Sequence, residues 1–119
     1  MTDLTDRPAV VLRIGKKWRP NMDQDEVYDT VRGWWVMGPK REKCEYAIAV
    51  AHGIVRGAFR IDAWQARSGS DSTRKVDASE KPKWGFDGAP APELQNLLGQ
   101  DVSDMFKKGS ANPVSYLNC

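Results

Sequence analysis

Residues 46–64, YAIAVAHGIVRGAFRIDAW, decide the fold of this chain. Two apolar runs, at 46–50 and 54–64, flank the dipeptide His52-Gly53, and a connection this short is typical of a tight β-hairpin. It leaves no room for the crossover segment that a parallel pair of strands needs. The stretch therefore predicts two antiparallel strands and argues against a doubly wound parallel sheet.

The second of these strands shows the alternation of a half-buried strand. Val55, Phe59 and Ile61 share one parity, whereas Arg56 and Arg60 share the other. Successive side chains of a strand point to opposite faces of the sheet. The pattern therefore predicts one face packed on the core and one cationic face in water.

Five further segments carry recognisable signals. Residues 9–14 are apolar and β-branched, which predicts a first, buried strand. Residues 65–82 are almost devoid of apolar side chains, which predicts a flexible loop. Residues 83–88 predict a short strand, and residues 90–99 a helix that begins with proline and ends at glycine. Residues 114–117 predict a closing strand.

A helix is expected between the first strand and the hairpin. Asn21 or Asp23 can cap its start, and acidic residues follow in the first turn, where the helix dipole favours them. Apolar residues at helical spacing then lead through Val31 to Trp34 or Trp35. The pattern predicts that the two tryptophans lie at the end of this helix, one on the core and one at the surface or in a cleft.

The order of these segments indicates the fold class. Helices mixed with closely joined strands, without regular βαβ alternation, are typical of α+β domains. We predict a small, twisted, mostly antiparallel sheet or partly open barrel, flanked by two or three helices. The chain has 119 residues, which is enough for one domain over 1–119 and too few for two independent cores.

Composition bounds the classes of function. Eighteen basic and sixteen acidic residues give a net charge of +2, too small to predict nucleic-acid binding over the whole surface. Cys44 and Cys119 are far apart in sequence, which favours reduced thiols and a cytoplasmic location. No apolar run approaches the ~20 residues that span a bilayer, and the N-terminus lacks the pattern of a signal peptide. We expect no membrane association.

Signatures of catalysis are missing from the sequence. The single histidine, His52, lies at the hairpin turn, where a turn role is favoured over general-base chemistry. No nucleophile elbow, phosphate-binding loop or metal-ligand spacing occurs. The acidic clusters lie at predicted helix starts, where capping explains them. We therefore expect no catalytic residue, no cofactor and no metal.

Tryptophans beside cationic residues are the most unusual feature. Bases stack on aromatic rings, while lysine and arginine neutralise the neighbouring phosphates. The pattern predicts recognition of nucleic acid or a nucleotide, through an aromatic and basic cleft that accepts a modified or flipped base. The candidate ligand-binding residues are Lys17, Trp18, Arg19, Arg32, Trp34, Trp35, Lys40, Arg41, Trp84 and Asn112.

Other interpretations of these residues stay open. The tryptophans also suit ordinary packing, and the amide of Asn112 also suits a turn before proline. An exposed aromatic surface also serves a protein-interaction or self-assembling module, including a homo-oligomer, with no nucleic-acid ligand. A free mononucleotide is a third candidate ligand.

Three stretches carry a resemblance to known proteins. The segments TVRGWW (30–35), GIVRGAFRIDAW (53–64) and NPVSY (112–116) look like a family of small uncharacterised bacterial and phage proteins. More loosely, they resemble the PUA-like superfamily, which includes the EVE and ASCH domains. The resemblance implies a small twisted barrel with helices packed at its side. It also implies a cleft that takes RNA or a modified or flipped base.

Overall fold

The computed structural model describes residues 5, 7–33, 35–36, 39–67, 83–103 and 114–118. Most of the predicted loop, together with Trp34 and Asn112, lies outside these ranges. The strands are β1 (Ala9–Arg13), β2 (Trp35–Val36), β3 (Tyr46–Ala51), β4 (Ile54–Arg67), β5 (Lys83–Pro90) and β6 (Val114–Leu117). One α-helix, α1, covers Gln24–Val31, and 3-10 helices cover Pro39–Lys43 and Pro92–Leu97.

These strands form one sheet in the order β2-β5-β4-β3-β1-β6. Five of them have four residues or more, and β2 has two. β1 pairs with β3 in parallel, and the four other pairings are antiparallel. The outer strands β2 and β6 do not pair with each other within the described residues. The predicted α+β class is confirmed, with an open, mixed sheet in which the β1–β3 pairing is the parallel element.

The hairpin between β3 and β4 turns where the sequence places it. His52 has φ 54° and Gly53 has φ 75°, so both central residues adopt the left-handed conformation. A two-residue turn with positive φ at both positions matches the twist of the flanking strands. Glycine adopts this conformation without strain, and a histidine does so more readily than a β-branched residue.

The predicted alternation along β4 is wrong over part of its length. β4 carries one extra residue opposite β3 at Arg56, and another opposite β5 at Asp62. Each extra residue is a β-bulge, which shifts the alternation of all following side chains by one position. Val55 therefore packs on one face of the sheet and Phe59 on the other, although their spacing in sequence predicts a shared face.

The predicted end of α1 is also wrong. Asp23 caps the helix as expected, but the helix ends at Val31, and Trp35 belongs to β2. The indole nitrogen of Trp35 donates to the Val31 carbonyl at 2.7 Å, which satisfies one of the carbonyls left without a partner at a helix end. Pairing of Trp35 with Trp84 in β5 supplies the strand contacts that replace a further helical turn.

Two hydrophobic clusters cover the two faces of the sheet. The aromatic face, packed under α1, contains buried Phe59 and Phe86 with half-buried Trp18, Tyr28, Trp35, Trp64, Trp84 and Tyr116. The aliphatic face, packed under the Pro92–Leu97 helix, contains Val11, Ile48, Val50, Val55, Leu94, Leu97 and Tyr46. Every residue of β3 is buried. Full burial of one such side chain contributes roughly 1.5–3 kcal/mol, so each cluster makes a large contribution to the stability of the fold.

The segment after β5 forms a helix whose leucines are buried as predicted, but the helix is of the 3-10 type and not an α-helix. Leu94 and Leu97 are buried, and Gly99 has φ 90° just beyond the last turn. This 3-10 helix, with three residues per turn, covers Pro92–Leu97. No described helix is long and apolar enough to cross a membrane.

Candidate binding site

The candidate residues of the sequence divide between two regions of the aromatic face. Arg56 and Trp18 lie near the start of β4, while Trp84 pairs with Ala66 near its end. Nine residues of strand lie between Arg56 and Ala66, which corresponds to roughly 30 Å of extended chain. The structure therefore does not bring Trp18 and Trp84 into one cleft.

The first region is the Trp18 stack, which consists of Trp18, Arg56 and His52. The Arg56 guanidinium lies 3.9 Å from the centre of the Trp18 ring, and His52 meets the same indole with its ring centre 5.7 Å away. Arg56 also donates through Nε to a main-chain carbonyl at 3.2 Å. Lys17 is exposed beside the stack. Arg19 is exposed and forms an ion pair with a carboxylate of α1 at 3.2 Å.

The second region is the Trp84 stack, which consists of Trp84, Trp35 and Arg41. The two tryptophans are cross-strand partners, and the Arg41 guanidinium lies 3.3 Å from the centre of the Trp84 ring. The Arg41 side chain is only 12% exposed, so it serves packing and is poorly placed to meet phosphate. Lys40 is exposed, and its ammonium lies 5.9 Å from the centre of the Tyr116 ring.

Next to the Trp84 stack is a pocket of about 350 Å³, called here the Arg32 pocket. It opens between the C-terminal end of α1 and strands β4 and β5. Gly85 joins it to the Trp84 stack, because Gly85 lines the pocket and directly follows Trp84. The lining residues are Asp29, Arg32, Gly33, Gln65, Gly85 and Phe86.

Arg32 is held in place from several sides. Its Nε donates to the Phe86 carbonyl at 3.3 Å, and its guanidinium forms an ion pair with one carboxylate oxygen of Asp87. The Gln65 amide donates to the other oxygen of that carboxylate. The ring of Tyr28 lies 5.5 Å from the guanidinium carbon. The side chain is nevertheless 43% exposed, so the fixed guanidinium also faces the solvent.

Asp29 supplies a second charge to the pocket. It precedes Arg32 by three residues in the chain, which brings the two side chains to neighbouring positions on the helix surface. It is exposed, and within the described part of the chain it has no ion-pair partner. The pocket therefore combines a fixed donor group at Arg32 with an available acceptor group at Asp29.

The sequence identifies Arg32 but not the residues that surround it. The spacing of Asp29 and Arg32 is visible once a helix is expected, so it is a signal that could have been used. Gln65 and Asp87 meet only through the register of β4 with β5, which the bulge at Asp62 shifts. No set of three or more metal-ligating side chains occurs in the described ranges.

Comparison with known proteins adds no further assignment. The chain matches no family model, and neither a curated protein nor a solved structure was found to match it. Function is therefore inferred from the chemistry of the Arg32 pocket and its surroundings.

Proposed function

We propose that this protein is a non-catalytic binding module that takes a nucleobase into the Arg32 pocket, from a nucleic acid or a nucleotide. The observation that carries the proposal is a pocket of about 350 Å³ beside two paired tryptophans, with a guanidinium fixed in its wall. Sites for small ligands begin at roughly 300 Å³. The pocket is therefore large enough for one base and too small for a stack of several.

The polar groups of the pocket suit the edge of a base. A guanidinium carries five N–H groups, and the contacts of Arg32 with Asp87 and Phe86 use two of them. The remaining N–H groups can donate to a carbonyl or ring nitrogen of the base. Asp29 can accept from an amino or imino group. Every base presents donors and acceptors side by side on its edge, which is the pattern that this wall complements.

Exposed lysines at the edges of the sheet offer contacts to the phosphates of a longer nucleic-acid strand. Lys83 precedes Trp84 in β5 and therefore points to the opposite face of the sheet, and the Lys40 ammonium lies over the ring of Tyr116 in β6, at the far edge of the sheet. Both lysines are exposed. Lysine acts on phosphate as a mobile point charge, so neither side chain needs a fixed geometry.

The resemblance to PUA-like domains favours the same function, because it implies a cleft for RNA or for a modified or flipped base. Under this proposal, the open sheet corresponds to the partly open barrel of a PUA-like domain. A cytoplasmic location belongs to the same proposal. The thiol of Cys44, which is buried and lies 3.5 Å from the Lys40 carbonyl, agrees with a reducing environment.

The proposal is tested with a labelled single-stranded oligonucleotide whose binding is followed by fluorescence anisotropy. We expect Arg32→Gln to weaken binding by tenfold or more, because the pocket loses its charged donor. Arg19→Gln is the matched control, since Arg19 is an exposed arginine in an ion pair outside the pocket. Thermal denaturation of both variants shows whether each remains folded.

Two results would contradict the proposal. One is an oligonucleotide affinity that Arg32→Gln and Arg19→Gln change equally. The other is no binding by the unmodified protein, together with a defined oligomer or hetero-complex that neither salt nor nuclease disrupts. The second result would favour a protein-interaction module.

A further inference from the structure

The charge of the Arg32 pocket restricts what can enter it. Arg32 is the only cation in the described lining, and Asp87 already neutralises it through a direct ion pair. Asp29 adds a second carboxylate without a cationic partner in the described ranges. One positive charge against two negative charges leaves the site with a negative balance. A phosphate placed there would face the Asp29 carboxylate and a guanidinium already paired with Asp87, which disfavours it.

The surface leading to the pocket along α1 has the same sign. Asp25 lies one helical turn before Asp29 and is exposed. The exposed lysines Lys40 and Lys83 lie away from the pocket, the first over Tyr116 of β6 and the second on the opposite face of β5 from Trp84. Phosphate is therefore expected to stay in the solvent outside the pocket, and not on the wall formed by α1.

We propose that the pocket selects an uncharged planar heterocycle that presents an N–H donor beside an acceptor, and that every phosphate of the ligand stays outside. This inference rests on the proposed function and names the chemical class that the same site takes. In it, the Asp29 carboxylate accepts from the ligand, and Arg32 donates to the neighbouring carbonyl or ring nitrogen.

The same geometry predicts an order of affinity among the bases. Guanine presents two adjacent N–H donors and a carbonyl on one edge, so it can satisfy a carboxylate and a guanidinium together. Uracil presents one N–H between two carbonyls, and one of those carbonyl oxygens would face the carboxylate of Asp29. We therefore expect guanine to bind best and uracil to bind worst.

The test is a calorimetric titration with guanosine, guanosine monophosphate, uridine and inorganic phosphate. We expect guanosine and its monophosphate to bind within about twofold of each other, uridine to bind at least tenfold more weakly, and phosphate not to compete. Asp29→Asn should weaken guanosine by roughly tenfold, since a hydrogen bond to a charged acceptor is lost. It should also strengthen uridine, because an amide can donate to a carbonyl. Asp25→Asn is the control, and it should leave both affinities unchanged.

A second arm separates a free nucleoside from a base within a strand. Pentameric uridine oligonucleotides with and without one central guanine are compared by anisotropy, and the guanine should tighten binding by at least tenfold only while Asp29 is present. A monophosphate that binds tenfold more tightly than guanosine, or an Asp29→Asn variant with unchanged base ranking, would overturn the inference and leave the proposed function standing. Loss of the difference between Arg32→Gln and Arg19→Gln would instead remove the proposed function itself.

Discussion

The two faces of the sheet are built from different side chains. The aliphatic face is closed by valine, leucine and isoleucine, with Tyr46 as its described aromatic residue. The aromatic face holds Phe59, Phe86 and a set of half-buried tryptophan and tyrosine rings. Branched aliphatic side chains interdigitate and fill space. On the aromatic face, where α1 ends, the Arg32 pocket lies against the ring of Phe86.

Arginine side chains also distinguish the two faces of the sheet. Three guanidinium groups lie over rings of the aromatic face, at Tyr28, Trp84 and Trp18. A guanidinium is attracted to the face of an aromatic ring and keeps its N–H groups for other partners. The aromatic face therefore combines packing with polar groups, which is what a binding surface needs. On the aliphatic face, one ordered polar contact lies at the rim, between Tyr46 and Glu93.

Truncation of one buried residue on each face should separate stability from binding. Phe86→Ala should lower the free energy of unfolding by about 3–5 kcal/mol, and Leu94→Ala by about 2–4 kcal/mol, because each leaves a cavity. Phe86 lines the Arg32 pocket, and Leu94 does not. We expect only Phe86 variants to change ligand affinity, with the milder Phe86→Leu used if the alanine variant fails to fold. Urea denaturation and anisotropy measure the two effects.

An equal change of affinity in Phe86→Leu and Leu94→Ala would break the comparison. It would mean that binding responds to overall stability, and that the aromatic face has no special part in it.

Removing the arginine of each tryptophan stack should show which stack contributes more to the free energy of unfolding. Arg41→Ala should cost about 2 kcal/mol of unfolding free energy, because its guanidinium lies 3.3 Å from the Trp84 ring centre and is largely shielded from water. Arg56→Ala should cost about 1 kcal/mol or less, because its guanidinium lies farther from its ring, 3.9 Å from the Trp18 ring centre. Guanidinium chloride midpoints measure both. The reverse order would show that the Trp18 stack is the structural one and would favour Trp84 as the exposed platform.

Short-range features of this chain follow from its sequence. The turn at His52-Gly53 and the cap at Asp23 depend on residues that are neighbours along the chain, so both can be recognised from the sequence. The closing strand β6 and the inward leucines of the Pro92–Leu97 helix follow from short apolar patterns in the same way.

Features that depend on the register between strands cannot be predicted from the sequence in this way. The bulges at Arg56 and Asp62 arise from how β4 pairs with two different neighbours, and nothing in an alternating pattern marks the extra residue. The same register brings Gln65 to the carboxylate that holds Arg32. The candidate list therefore contains the central arginine but lacks most of the pocket around it, and it includes Trp18, which lies at the other end of β4.

The last prediction concerns the polar contact at the rim of the aliphatic face. The Tyr46 hydroxyl donates to Glu93 at 2.7 Å and joins β3 to the Pro92–Leu97 helix. This hydrogen bond lowers the pKa of the Glu93 carboxyl, and the hydrogen bond and burial raise the pKa of the Tyr46 phenol. A lowered carboxyl pKa adds stability above the ordinary glutamate value of about 4.3, and that stability is lost as pH falls through the folded value.

The tyrosine acts at the opposite end of the pH range. A raised phenol pKa adds stability below the ordinary value of about 10, and this is lost as pH rises through the folded value. Tyr46→Phe should therefore lower stability slightly and evenly between about pH 5 and 9, with a difference from the unmodified protein that shrinks at both extremes. Thermal unfolding across this range measures it, with Glu93→Gln as the matched variant. Ligand affinity should stay unchanged in both variants, because neither residue lines the Arg32 pocket. Because phenylalanine keeps the ring and removes only the hydroxyl, a stability difference as large at pH 3 as at pH 7 would show that the hydroxyl acts independently of the ionised Glu93 carboxylate, and would contradict the role given to this hydrogen bond.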